Sequence, residues 1–302
     1  MPWARCRTGY TCRMNDSISR RTVAAGALLL PTLMPTLAQA DESAIAALER
    51  SGARVGLAAL DTGSGRRIAW RAEERFLMCS TFKLSLAAAT LLRAEQGHED
   101  LNRLVHYSRD QLLGVSPATA KNLDRGMTVA ELCEAAIIYS DNCAANLLLT
   151  AAGGPQAVTS FWRRLGDTVS RLDKMEMALN LPDGEKDTTT PAAMMGNLKA
   201  MLLGDTLSSA ARDRLLGWMH ANTTGAATLK AGLPPDWRIG DKTGRWNSTD
   251  PHQGSTNDIG IVTPPARAPI LVACYTQGGP PDDAARSAVL AQAGRIIAAA
   301  FA

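Results

Sequence analysis

Ser80 and Lys83 stand three residues apart in the stretch Cys79-Ser80-Thr81-Phe82-Lys83. A serine hydroxyl is a weak nucleophile until a base takes its proton. On a helix, a lysine three residues on lies on the same face and can reach that hydroxyl. The pattern alone says little, since roughly one Ser-x-x-Lys arises by chance in a chain of this size. Further groupings follow in order: Ser140-Asp141-Asn142, Glu176 with Asn180 in a polar loop, and Lys242-Thr243-Gly244. Each has an ordinary reading when taken alone. Ser140 and Asn142 are residue types that cap helices. Glu176 would be solvated, and Lys242 would be a surface lysine beside a turn at Gly244. Asp141 and Asp173 read as residues that orient the fold. It is the combination, in this order, that points to nucleophilic catalysis by Ser80.

The elements that must position these residues can be read around them. Arg54–Leu60, a turn at Asp61–Gly65 and Arg67–Arg71 predict a β-hairpin. Leu84 to Leu92 is apolar almost all round, which predicts a helix in the middle of a helical layer with Ser80 at its N-terminus. Thr128-Val-Ala-Glu131 is a capping box opening a helix to about Tyr139. A second helix, 144–151, leaves Ser140–Asn142 in a helix–helix connection. Gln156–Leu165 is amphipathic. Arg171–Thr190 is a polar loop, long for a connection and therefore a candidate for function. Pro191–Leu203, Ser208–Asn222 and Asp282–Phe301 read as helices, and Ile239–Lys242, Asp258–Val262 and Ile270–Tyr275 as strands. Strands at both ends with helices between predict an α/β (α+β) layer built from both termini, with an all-helical part inserted.

The 302 residues are 46% hydrophobic and 20% charged, an ordinary globular profile. The formal charge of +3 belongs to the start of the chain: residues 1–40 carry five arginines against Asp16, a net +4, leaving −1 for the rest. No basic patch argues for nucleic acid. Ser19-Arg20-Arg21, an apolar run from Val23 to Leu37 broken by Pro31 and Pro35, and Ala38-Gln39-Ala40 read as an export signal with a small-x-small cleavage site. The paired arginines suggest the twin-arginine route, the alternative being a general secretory signal. Met14 is a candidate true start. The mature chain is expected to begin near Asp41, to work in the periplasm or outside the cell, and to have no membrane span. Cys79, Cys133, Cys143 and Cys274 remain after cleavage and read as small buried thiols. His98, His106, His220 and His252 are scattered, so neither a metal site nor a Ser-His-Asp triad is suggested.

With these motifs in place, the chain resembles the class A serine β-lactamases from about Arg54 to Leu290. Cys79–Lys83, Tyr139–Asn142, Arg171–Asn180, Asn222–Gly232 and Gly240–Gly244 carry the resemblance, and Ser-x-x-Lys, Ser-Asp-Asn and Lys-Thr-Gly are the family's set. It implies an antiparallel sheet flanked by N- and C-terminal helices beside an all-helical subdomain. Residues 41–302 form one such domain, with 41–78 and 223–302 in the α/β part and 79–222 in the helical part. It implies hydrolysis of penicillins, and of cephalosporins by analogy with Asn222–Gly232, without a cofactor and as a monomer. Ser80 would be acylated. Lys83 or Glu176 would take its proton, a choice the resemblance leaves open. Ser140 would relay a proton to the leaving nitrogen, and the N–H groups of Ser80 and Arg245 would form the oxyanion hole. Lys242 and Thr243 would hold the substrate carboxylate, with Gly244 letting the backbone approach the ligand. Asn142 would accept the substrate's side-chain amide, and Glu176 with Asn180 would activate water. Arg245 is a second candidate for the carboxylate. A penicillin-binding DD-peptidase or a β-lactam sensor domain is the alternative.

Departures from the family pattern cluster at the rim. Met177 follows Glu176 where proline is common, which puts in question the cis peptide that proline would favour, since non-proline cis costs roughly 3 kcal/mol. Lys174 replaces a common arginine, with Asp187 as its expected partner. Val115 stands where an aromatic often walls the cleft. Arg245 and Trp246 replace small residues, the segment to Thr256 is longer than typical, and Trp246 removes the partner that Cys79 has in some members.

Overall fold

The computed structural model describes residues 43–302 apart from Thr249, Pro251, His252 and Pro281. The expected leader and the start of the mature chain near Asp41 lie outside the described residues. β1 (Ala53–Asp61) turns back into β2 (Arg67–Trp70) as the hairpin predicts. Asp61 builds the turn: its Oδ1 accepts from the Gly63 N–H at 2.9 Å and its Oδ2 from the Ser64 hydroxyl at 2.8 Å. A short aspartate side chain imitating a backbone turn is the reason Asp favours such positions. In mid-chain, β3 (Phe76–Leu77) pairs with β6 (Thr188–Thr189), and β4 (Leu104–Val105) with β5 (Met127–Thr128). The last strands are β7 (Arg238–Trp246), β8 (Ser255–Thr263) and β9 (Ile270–Gly278). β1 pairs with β9 from Ala53↔Gly278 to Asp61↔Ile270, which closes an antiparallel sheet in the order β2-β1-β9-β8-β7.

Both faces of this sheet are covered. Val55, Leu57, Ala59, Val272 and Cys274 pack with Leu290 and Ile297 of the C-terminal helix Asp283–Ala300. Ala58, Leu60, Leu271, Ala273 and Tyr275 pack with Phe76 and with Met194 and Leu198 of the helix Pro191–Leu202. Successive residues point to opposite faces, so a strand buried on both sides loses its polar half. That is why Arg54–Leu60 alternates so weakly.

The helix Phe82–Glu95 is the centre of the helical part, with Phe82, Leu84, Leu86, Ala87, Ala88 and Leu91 all buried. Helices Val129–Ile138, Asn142–Ala152 and Gln156–Arg164 surround it. Thr128 and Glu131 form the expected capping box. The next helix begins at Asn142, two residues before the predicted 144, because Asp141 caps it by accepting from the Ala144 N–H at 2.9 Å. Asp141 also accepts from the N–H groups of Ala118 and Thr119 and from the Thr119 hydroxyl. It orients the fold, as its type suggested, by ending the chain reversal that carries Ser140.

The loop after Arg171 is held only partly as expected. Lys174 Nζ is 3.7 Å from Asp187 and nearer Asp183, at 3.2 Å. The expected pair with Asp187 is thus present but long, and Asp187 also accepts from the backbone N–H groups of Asp173 and Lys174 at 2.8 and 3.0 Å. A compact ammonium cannot span the two ends bidentately, so the main chain supplies the donors.

Candidate active site

The nucleophile's segment is fixed from below. Asn257 of β8 donates its side-chain amide to the carbonyls of Leu77 and Met78 at 2.8 and 3.2 Å. Cys79 then takes a left-handed φ of 46°, unusual for a residue with a side chain. Ser80 lies in a 3-10 turn, Cys79–Thr81, that runs into the helix Phe82–Glu95. Strand β7 passes directly against this turn. A Cβ on Gly244 would lie 2.6 Å from Met78 O and 3.1 Å from Ser80 N. Gly244 is therefore required by the close approach of the strand to the serine's own segment.

The expected lysine–serine contact takes another form. The Ser80 hydroxyl donates to Glu176 Oε1 at 3.1 Å. Lys83 Nζ lies 2.9 Å from the same oxygen and donates to Ser140 O at 2.8 Å and Asn142 Oδ1 at 2.5 Å. The side chains of Lys83 and Glu176 are 0% and 1% exposed. Three contacts use the three protons of an ammonium, so Lys83 organises carboxylate, carbonyl and amide around the serine. Asn142 Oδ1 accepts from it, and Asn142 lines the cavity with its Nδ2 donors still to place.

Ser140 is held at both ends, its carbonyl by Lys83 and its hydroxyl by Lys242 Nζ at 3.0 Å. Its φ of 58° is left-handed, a strain of about 1–3 kcal/mol that persists only where surroundings impose it. The two buried lysines and the Asp141 cap impose it here. Lys242 is fully buried, so the surface-lysine reading fails. Thr243 Oγ1 lies 2.5 Å from Thr224 Oγ1.

Glu176 is positioned by Asn146, a residue the sequence reading passed over. Asn146 donates to Glu176 O and accepts from Glu176 N, both at 2.9 Å, from the face of the helix Asn142–Ala152. The Glu176–Met177 peptide is cis although no proline is present. Asn180 Nδ2 donates to Glu176 Oε2 at 3.1 Å, while buried Asn180 Oδ1 has no donor among the described residues. Ser80, Ser140, Asn142, Glu176, Asn180 and Thr243 open into one cavity of about 420 Å³. Arg245, Trp246, Val115, Tyr139 and Met177 line it as well. Lys83 and Lys242 stand behind the wall. Thr224 also lines the cavity; it falls in Asn222–Gly232, one of the stretches that carry the resemblance, but is not among the expected site residues.

Burial, with Lys83 nearby, lowers Lys242 to about 7. Burial pushes the Cys79 thiol up, so it stays protonated and inert beside the serine. Behind Lys242, Asp241 and Asp258 form a buried acid pair. Burial first, and then the Asp241 charge, hold Asp258 well above the carboxylate range; burial also raises Asp241. Thr228 Oγ1 and the Leu229 N–H donate to Asp258 Oδ2 at 2.5 and 3.2 Å, and Oδ1 has no donor among the described residues. Two carboxylates this close cannot both ionise, and a protonated Oδ1 donating to Asp241 satisfies both. A native acid raised above its unfolded value binds more protons than the unfolded chain, so its contribution to stability falls as pH rises through that window. Asp258→Asn keeps an acceptor for Thr228 and Leu229 and removes the titrating group. In thermal melts, the variant's stability relative to wild type is expected to improve from pH 4.5 to pH 8; a pH-independent difference would show that Asp258 is ionised in the fold.

The comparisons with known proteins agree with this geometry. The model of the family described as "Beta-lactamase enzyme family" matches residues 40–301. Beta-lactamase AST-1 of Nocardia asteroides is 48% identical over 252 residues, covering 82% of this chain and 79% of that protein. The carbapenem-hydrolyzing beta-lactamase KPC of Klebsiella oxytoca is 44% identical over 247 residues, covering 81% of this chain and 83% of that protein. Among solved structures, an ancestral class A beta-lactamase is 54% identical, covers 86% of this chain and all of its own, and superposes with a TM-score of 0.82. The putative class A enzyme PenP from Rhodopseudomonas palustris is 46% identical, with 86% and 99% coverage and a TM-score of 0.82.

Proposed function

The chain belongs to the class A serine β-lactamases, and from that premise we propose how its own residues open and release the β-lactam ring. Ser80 Oγ attacks the ring carbonyl while its proton passes to Glu176, the acceptor to which it is already hydrogen-bonded. The N–H groups of Ser80 and Arg245 face the developing oxyanion where β7 crosses the serine turn. The C–N bond breaks, and the nitrogen takes a proton from Ser140, whose hydroxyl is polarised by Lys242; Ser140 regains a proton from Glu176 by way of Lys83, which lies beside both residues, so that Glu176 is again a carboxylate. The product of this half-reaction is an ester on Ser80. Glu176 and Asn180 then bind a water through two acceptors, the carboxylate and the buried Asn180 Oδ1. Glu176 takes one of its protons as it attacks the ester, and returns that proton to Ser80 Oγ as the Oγ–acyl bond breaks and the opened acid leaves. Lys242, Thr243 and Arg245 hold the substrate carboxylate, and Asn142 donates to the substrate's side-chain carbonyl. Penicillins are the expected substrates, with cephalosporins beside them.

The observation that carries this reading is the contact of Glu176 with both Ser80 and Asn180. A DD-peptidase or sensor acylates but has no device for fast ester hydrolysis, and this contact is such a device. The test is the intact mass of the protein after mixing with benzylpenicillin. Return to the free mass marks a hydrolase; a lasting adduct sinks the reading in favour of a penicillin-binding protein or sensor. We further propose that residues 1–40 are a leader, removed on export to the periplasm or the medium, by the twin-arginine route, and that the mature domain 41–302 acts as a monomer. Among the described residues, no helix is long and apolar enough to cross a membrane.

Lys242 makes the reaction pH-sensitive. A group at about 7 loses its charge as pH rises above neutrality, and with it the attraction for a carboxylate. The kcat/KM profile reports groups of the free enzyme, so an alkaline fall beginning near pH 7 is expected. Lys242→Arg stays charged throughout and moves that limb to higher pH at some loss of activity. An unmoved limb would assign it to another group.

A further inference from the structure

Arg245 and the C-terminal helix meet in a brace that the reaction above does not use. Arg245 lines the cavity; its Nη1 donates to Thr224 O at 3.1 Å, and its Nε lies 3.3 Å from Asp283 Oδ1. Asp283 is the first residue of the helix Asp283–Ala300, far along the chain from every motif. It is itself fixed: Oδ1 accepts from the Thr256 hydroxyl at 3.0 Å, and Thr256 is the cross-strand partner of Arg245 in the β7–β8 pair. Arg286, one turn further along the helix and 1% exposed, donates to Thr256 Oγ1 at 3.2 Å, to Pro280 O at 2.7 Å and to Asn247 Oδ1. Asn247 also lines the cavity.

The guanidinium of Arg245 is thus gripped from two directions, by the Thr224 carbonyl on one side and the Asp283 carboxylate on the other. A free arginine at a cleft rim carries large rotamer freedom, which binding must remove. We propose that Asp283 is a positioning residue for substrate binding: it holds Arg245 at the cavity wall in the pose that receives the substrate carboxylate. The proposal rests on the reading of Arg245 as a carboxylate ligand given above. Asp283 touches neither substrate nor Ser80, so its influence falls on the substrate's binding and leaves the ester chemistry in place. The longer segment after Trp246 joins the same brace through Asn247 and Arg286, which ties the altered rim to the helix.

The experiment is steady-state hydrolysis of benzylpenicillin by wild type, Arg245→Ala, Asp283→Asn, the double variant and Asp283→Glu, with melting temperatures measured alongside. Asp283→Asn is expected to raise KM about three- to fivefold, the reach of one partly exposed ion pair, with kcat within about twofold. In the Arg245→Ala background it adds nothing further, because the residue it positions is gone. Asp283→Glu keeps the charge and brings KM back towards wild type; it also serves if the Asn variant folds poorly. A merely structural Asp283 would lower the melting temperature and leave KM alone, which overturns the proposal. Equal KM effects in both backgrounds overturn it as well, since Asp283 would then act without Arg245. An unchanged KM in Arg245→Ala removes the carboxylate role of Arg245 together with the proposal, while hydrolysis by the wild type leaves the Ser80 reaction standing.

Discussion

Glu176→Ala mixed with benzylpenicillin is expected to stay one penicillin heavier on Ser80, while wild type returns to its free mass. The geometry gives the two half-reactions unequal dependence on this carboxylate. Acylation starts from a serine with Lys83 alongside. In Glu176→Ala, Lys83 loses an anionic partner and keeps Ser140 O and Asn142 Oδ1, so its amine, after passing one proton on, is left beside the hydroxyl to take the serine's. Deacylation has no such substitute in the proposed reaction, where Glu176 and Asn180 are the acceptors that hold the water. Loss of a positioned general base costs about 10²–10⁴-fold, and the larger part should fall on ester hydrolysis. The truncation keeps the main chain of residue 176 in place, since Asn146 holds that and not the side chain, while leaving Lys83 without its anion lowers stability. If the variant and wild type both clear the adduct, the hydrolytic base lies elsewhere. If neither forms one, the assignment of Ser80 fails for this substrate class.

What could be read from the sequence was local. The hairpin turn at Asp61, the capping box at Thr128–Glu131 and the all-apolar helix after Ser80 are signals contained within a few residues, and the chain forms all three. The resemblance brought the four motifs together, and the cavity holds Ser80, Ser140, Glu176 and Thr243 with Lys83 and Lys242 behind them. What stayed hidden depends on long-range contact. Asn146 is one more polar residue on an amphipathic helix until the loop folds over it. Asp258 reads as a strand residue until β7 brings Asp241 alongside. Asp283 and Arg286 read as the polar start of a closing helix. Residue types at Lys174 and Met177 told only part of the loop: Asp187 takes backbone donors beside its long ion pair with Lys174, and the cis bond at 176–177 occurs without proline. In each case the partner that decides the conformation is a backbone group or a distant amide, which no local pattern reports.

Lys83 and Glu176 allow stability and activity to be separated. Their side chains are 0% and 1% exposed and 2.9 Å apart. Removing one partner of a buried pair leaves an uncompensated charge, at about 3–5 kcal/mol. Replacing both with neutral groups of similar shape is often nearly neutral for stability. Lys83→Met keeps most of the volume of the lysine stem and leaves Glu176 facing Ser80 and Asn180 without a cation. A loss of about 3 kcal/mol is expected, the low end because the cleft admits water. That corresponds to a melting temperature lower by about 6–12 °C for a domain of this size. Lys83→Met/Glu176→Gln should recover most of that stability, because the glutamine accepts from Ser80 and carries no charge. Activity follows the opposite rule. Lys83→Met already loses the organiser of Glu176, Ser140 and Asn142, a deficit of about 10²–10⁴-fold in acylation, and the double variant loses the hydrolytic base as well. Thermal melts and acylation rates on the same samples decide the matter. A single variant as stable as wild type would mean that water entering the cleft already screens Glu176. A double variant that melts with the single one would mean that packing of the lysine stem, and not its charge, is what the fold depends on there.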